Sequence, residues 1–180
     1  MLAPKRLITL STRRRFPCIF AKDTLATWKA PAGVALNSDF TVKVRLQDGV
    51  WHTLSSYLIK VDEVRDTRHY VENASMAIFD FTGKVEVAVT YNLGEVQTAK
   101  VRPLSYDIPF QIDGNTVTFT LEHPRNLSVE VNGDIFHNFH LFTGSPERTI
   151  PDKDNPEVIY FGPGIHTVKN GELRVPSGKT

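Results

Sequence analysis

From about residue 40 onward, apolar and polar residues alternate one for one, and that period of two restricts the chain to β-structure. Val42, Val44 and Leu46 alternate with Thr41, Lys43 and Arg45, and Val85, Val87, Val89 and Tyr91 with Lys84, Glu86, Ala88 and Thr90. Val117, Phe119 and Leu121 alternate with threonines, and Leu127, Val129 and Val131 with Ser128 and Glu130. Side chains along a strand point to opposite faces in turn, so each apolar set faces a core while its neighbours face water. No stretch of a dozen residues carries a 3.6-residue apolar period, so no long helix is expected.

Turn residues separate the runs: Gln47-Asp48-Gly49, Thr82-Gly83, Asn92-Leu93-Gly94, Asp113-Gly114-Asn115 and Asn132-Gly133-Asp134. Glycine and asparagine tolerate the positive φ of tight turns. The spacing predicts hairpins from 75–81 with 84–91, from 108–112 with 116–121, and from 127–131 with 135–142. Short strands at this spacing make a sandwich or barrel. Residues 143–157, with three prolines and mixed charge, read as a linker. Val158-Ile159-Tyr160-Phe161 then reads as a short apolar strand, and the chain ends on strand-like alternation. The expected organisation is an unassigned extension over 1–22, a β-sandwich over 23–142, the linker, and the start of a second β-structure over 158–180.

Charge and cysteine content narrow the function. Lys+Arg 21 against Asp+Glu 20 leaves a net charge of +1, which supplies no basic surface for nucleic acid. Apolar runs are too short to span a bilayer as a helix. Cys18 is the single cysteine, so no intrachain disulfide is possible. The first residues are basic at Lys5, Arg6 and Arg13 to Arg15 but lack the apolar run of a signal peptide.

No constellation predicts catalysis, a cofactor or a metal. His137 and His140 fall on opposite faces of a strand and so cannot share one ion. Asp152 and Asp154 form a D-x-D in the linker without the further oxygens a calcium loop requires. Asp62, Glu63 and Asp80 lack a partner spaced for acid–base work. Neither a G-x-S-x-G elbow nor a phosphate loop is present, and Gly162-Pro163-Gly164 reads as a turn. Trp28, Trp51, Tyr57, Tyr70, Tyr91 and Tyr106 are the pool for a sugar-stacking platform, with Trp28 and Trp51 the candidate carbohydrate contacts. Asn73 and Asn126 head N-glycosylation tripeptides.

The segments LSVEVNGDIFHNFHLF (127–142), VIYFGPGIH (158–166) and LRVPSGKT (173–180), with SMAIFDFTG (75–83) and VRPLS (101–105), resemble the domain junction of glycoside hydrolase family 49. That family includes dextranases and isopullulanases, and polygalacturonase-like β-helix proteins share this kind of junction. The resemblance covers roughly residues 23–180. It implies an all-β fold: an antiparallel β-sandwich followed by the first coil of a right-handed parallel β-helix. It also implies a secreted polysaccharide hydrolase whose catalytic aspartates lie on later coils, so none is carried onto this chain. On this reading the sandwich covers or orients the β-helix as its intramolecular partner, and polysaccharide is met through the parent enzyme. The alternative is a free-standing carbohydrate-binding or cell-surface module.

Overall fold

Alternation requires each strand to bury one face, and two sheets packed face to face satisfy every strand at once. The computed structural model describes residues 23–47, 49–147, 151–162 and 164–180. Its strands are β1 (Thr24–Thr27), β2 (Phe40–Leu46), β3 (His52–Thr53), β4 (Tyr57–Arg65), β5 (Arg68–Thr82) and β6 (Val85–Tyr91). They continue with β7 (Ala99–Arg102), β8 (Phe110–Asp113), β9 (Thr116–Leu121), β10 (Leu127–Val131) and β11 (Asp134–Gly144). Sheet I runs β1-β5-β11-β10-β7, with β4 also paired to β5; sheet II runs β3-β2-β6-β9-β8. Among the described residues the only helical pieces are two three-residue turns, at Leu104–Tyr106 and Lys169–Gly171, so no helix is long and apolar enough to cross a membrane.

The core lies between the sheets and is built from the alternating residues. Val42, Val44, Val85, Val87 and Val117 enter from sheet II, and Ala77, Phe79, Phe81, Phe139 and Leu141 from sheet I, all fully buried. Phe40 and Phe139 meet across the interface at 5.8 Å between ring centroids. Each such side chain contributes about 1.5–3 kcal/mol by leaving water.

Two of the predicted hairpins form, β8 with β9 and β10 with β11. The third does not. β5 pairs with β1, β4 and β11, whereas β6 pairs with β2 and β9. The turn at Gly83 therefore carries the chain from one sheet to the other. Phe81 and Val85 are both fully buried on either side of it, as a crossing between the two walls of a core requires. Gly83 has φ +84, and a Cβ there would collide with the Asp23 carboxylate.

Two features depart from simple alternation. β5 is fifteen residues long and its hairpin with β4 turns at Asp66-Thr67, closed by Arg65 opposite Arg68. Within an otherwise antiparallel sandwich, β11 runs parallel to β5, pairing Phe139 with Ser75 through Gly144 with Asp80. β11 thus extends two residues past the expected domain boundary at 142.

No regular strand is assigned over 158–161, but the backbone there is not free. Thr180 N–H donates to the Glu157 carbonyl at 2.9 Å, and Ile159 N–H donates to the Thr180 carbonyl at 2.7 Å. That reciprocal pattern is a parallel bridge between Val158 and Thr180, two positions 22 residues apart in the chain. The segment closes on itself as one coil of a parallel β-structure does.

Candidate functional site

The two outer faces of the sandwich differ in chemistry, and that difference locates the site. On sheet II the outward residues are Thr41, Lys43, Arg45, Glu86, Thr116, Thr118 and Thr120. Thr90 and Thr116 hydroxyls pair at 2.9 Å, and Arg45 Nε donates to Glu86 at 2.7 Å. This is an ordinary solvated face.

Sheet I is different. From Met76 onward its even-numbered β5 residues point outward because Ala77, Phe79 and Phe81 point in. Register sets Phe142 beside Ile78, and Thr27 beside Phe79, so Trp28 follows next to Ile78. The result is an exposed apolar row across three strands: Phe142 37%, Ile78 42% and Trp28 53% exposed.

At the Trp28 end the coil segment comes over the sheet. Ala26, Trp28, Ile78 and Asp80 form one wall of a cleft of about 800 Å³, and Pro146, Glu147, Tyr160 and Phe161 form the other. Gly144 lies against Asp80: a Cβ there would stand 2.5 Å from Asp80 Oδ1, so any larger residue would displace the carboxylate. Burial pushes the Asp80 carboxyl above its usual range, and the Glu147 charge adds to that push, while the Gly144 N–H opposes both. The cleft therefore combines three aromatic rings with two carboxylates.

Trp28 and Trp51 are not brought together. Trp51 lies next to β3 in sheet II, half-buried, with the Arg45 guanidinium 4.4 Å above its ring. Tyr70 and Tyr106 are likewise covered by Arg65 and Arg125. His137 sits in an ion network at the base of the β4–β5 hairpin. Asp134 Oδ2 bonds its Nδ1 at 2.9 Å and Glu72 Oε2 its Nε2 at 3.1 Å, and Arg65 links Glu72 to Glu63. His140 points away from that network and stacks near Phe142. Asp62 bonds His69 at 2.8 Å. Asp152 Oδ1 accepts the Asp154 N–H at 3.0 Å, and Gly162 O accepts from His166 Nε2 at 2.6 Å. Among the described residues no group of His, Cys, Asp and Glu has metal-holding geometry. Cys18 lies outside the described residues.

Sequence reasoning missed the approach of Glu147, Tyr160 and Phe161 to Asp80 and Ile78. The signal was the outward-facing Ile78 and Phe142 in two strands that read as ordinary alternation; only the parallel β5–β11 pairing puts them side by side.

No protein-family model matches the sequence, and no curated protein matches it. The fold is similar to the solved structure of Dex49A from Penicillium minioluteum. The TM-score is 0.52 at 15% identity, over 77% of this chain. The chain spans 36% of the length of that structure. At this identity the likeness is one of fold.

Proposed function

We propose that this chain is the accessory β-sandwich of a secreted, polysaccharide-degrading glycoside hydrolase of dextranase type, which covers and orients a parallel β-helix catalytic domain. The observation that carries this reading is the parallel bridge between Val158 and Thr180 beside a sandwich face lined by Trp28 and Ile78. A single coil of β-helix cannot bury its own apolar side and needs a neighbour or a cap. Tyr160 and Phe161 line one cleft with Trp28 and Ile78, all four still partly exposed, which supports sheet I as the face toward such a neighbour. The fold likeness to Dex49A agrees with this arrangement.

Hydrogen–deuterium exchange on this chain tests the seating. The Ile159 and Thr180 amides should be protected, and Trp28→Ala should speed their exchange at least tenfold while the β6 and β9 amides keep their rates. Unprotected amides in the unsubstituted chain would refute it. Release of reducing sugar from dextran by this chain, abolished by one point substitution, would equally overturn the accessory role.

A further inference from the structure

Sheet II ends on β8, an edge strand exposed at every one of its residues. Phe110 and Ile112 lie opposite Phe119 and Val117 of β9, and partners across an antiparallel pair share a face. Phe119 and Val117 are buried in the core, so Phe110 and Ile112 point to that same side, yet they stay 37% and 39% exposed. Sheet II therefore overhangs sheet I here, and the core has an open apolar margin along β8.

The main chain of β8 is open at the same two residues. Tyr91 N–H donates to the Asn115 carbonyl at 2.8 Å, so Asn115, Val117 and Phe119 turn their main-chain groups to β6. Thr116 and Thr118 turn theirs to β8, where they meet Asp113 and Gln111. Phe110 and Ile112 are left with N–H and carbonyl groups directed away from the sheet, and among the described residues no strand pairs that side. The other edges are blocked in ways this one is not. β3 is two residues long, and β4 carries Lys60, Asp62, Glu63 and Arg65. β1 is half-buried over Leu25, Ala26 and Thr27. β7 carries Lys100 and Arg102, and an antiparallel copy centred on Val101 or on Lys100 would oppose Lys100 to Arg102 or to a second Lys100. Like charges directly opposite disfavour either register.

β8 is complementary to a second copy of itself. A two-fold axis through Gln111 sets Phe110 opposite the second copy's Ile112, and Ile112 opposite its Phe110. Those are the residues with outward main-chain groups, so each pair exchanges both of its N–H···O bonds. Their side chains meet on the core side and join the two open margins into one apolar strip. On the solvent side only the neutral Gln111 side chains face each other at the axis. Asp113 and its copy stand about 14 Å apart along the strands, beyond the screening length of physiological salt. We propose that the β8 edge is the contact surface for a second copy of this chain, joining sheet II of each into one continuous antiparallel sheet. A foreign strand would have to bring the same apolar alternation, whereas a second copy supplies it with the register fixed by symmetry. A four-residue strand buries less than the about 1,200–2,000 Å² of a stable interface, so the association is weak and appears at high concentration. β8 belongs to sheet II and the cleft to sheet I, so this inference holds whether or not the chain covers a β-helix.

Sedimentation equilibrium of the 180-residue protein at concentrations up to about 1 mM, where a weak contact populates a dimer, tests the edge. A monomer–dimer equilibrium is expected. Gln111→Lys opposes two ammonium groups at the axis, and Ile112→Pro removes an outward donor but no bond to β9. Each should weaken association at least tenfold, and Gln111→Lys should leave the unfolding midpoint within a few degrees. In a Cys18→Ser background, oxidised Gln111→Cys should form a disulfide-linked dimer, because opposed Cα atoms at the axis lie about 4.5 Å apart. Asp113→Cys, far from its copy, should stay monomeric. A single monomeric species at every concentration overturns the proposal. So does a dimer that survives both Gln111→Lys and Ile112→Pro, or one cross-linked through Asp113→Cys as readily as through Gln111→Cys. Dimer loss on Trp28→Ala, with the β8 variants unchanged, would place the contact on sheet I and refute this edge.

Discussion

Replacing Arg102 by methionine tests whether Arg102 and Glu130 form a buried pair that depends on both partners. Glu130 sits between the core residues Val129 and Val131, where β11 bulges: its register jumps from Phe139 to Asp134. The Glu130 side chain is 6% exposed and that of Arg102 39%, so the two partners are unequally desolvated. Removing Arg102 strands a buried carboxylate. Breaking a buried pair costs about 3–5 kcal/mol, and the half-open flank of Arg102 sets the expectation for Arg102→Met near the low end, about 3 kcal/mol. In a chain of this size that lowers the melting midpoint by about 6–12 °C. Glu130→Leu leaves only an arginine that can turn to water, so its loss should stay below about 1 kcal/mol. The double variant, with both charges gone, should return to within about 1 kcal/mol of the starting protein. Urea denaturation with unchanged m-values reads all three, and the cycle isolates the coupling. Equal losses for the two single variants, or Glu130→Leu the more damaging, would refute the burial argument.

Two further outcomes follow from the same structure. The Asp134 hydrogen bond lifts the His137 pKa, with Glu72 adding and burial opposing; its stabilisation is therefore full below about pH 6.5 and fades as pH rises through the lifted value. Burial would raise the Asp134 carboxyl, but N–H bonds from His137 and Phe136 pull it below its usual range, so its stabilisation fades only as pH falls through that lowered value. The stability difference between the unsubstituted chain and His137→Gln should thus shrink from pH 5.5 to pH 8, and stay under about 1 kcal/mol because the ring is half exposed; a difference that grows with pH would contradict it. At the sheet crossing, Gly83→Ala should cost about 1–2 kcal/mol from backbone strain, plus displacement of Asp23. Gly114→Ala, where a Cβ meets nothing within 4 Å, should cost less, and a reversed order in thermal unfolding would place the crossing elsewhere.

Strand identity was legible because alternation is a property of one segment at a time. β2, β6, β9 and β10 fall within a residue or two of the runs read from sequence. Strand partnership was not legible to the same degree, since a tight turn containing glycine serves a hairpin and a sheet crossing equally well. What separates them at Gly83 is that Phe81 and Val85 both face inward from opposite walls, a fact of packing rather than of turn chemistry. β4 escaped for a related reason: Tyr57-Leu-Ile-Lys-Val-Asp-Glu-Val-Arg mixes apolar neighbours with charges, and its hairpin with β5 runs out past the sandwich where burial no longer enforces alternation.

The site was harder to read than the fold because its residues come from strands distant in sequence and aligned only by register. Trp28 was visible as a candidate, yet nothing local pairs it with Ile78 fifty residues on, or Ile78 with Phe142. Those neighbours are created by β1 running antiparallel and β11 parallel to the same strand. Alternation also hides the asymmetry that matters. In β6 and β9 the off-core positions are Glu86, Ala88 and threonines, whereas in β5 and β11 they include Met76, Ile78, His140 and Phe142. A sheet that leaves such residues on its outer face keeps apolar area in water at about 25 cal/mol per Å². The Trp28 end faces Tyr160 and Phe161 across the cleft yet stays the more exposed, with Trp28 at 53% and Ile78 at 42% against Phe142 at 37%.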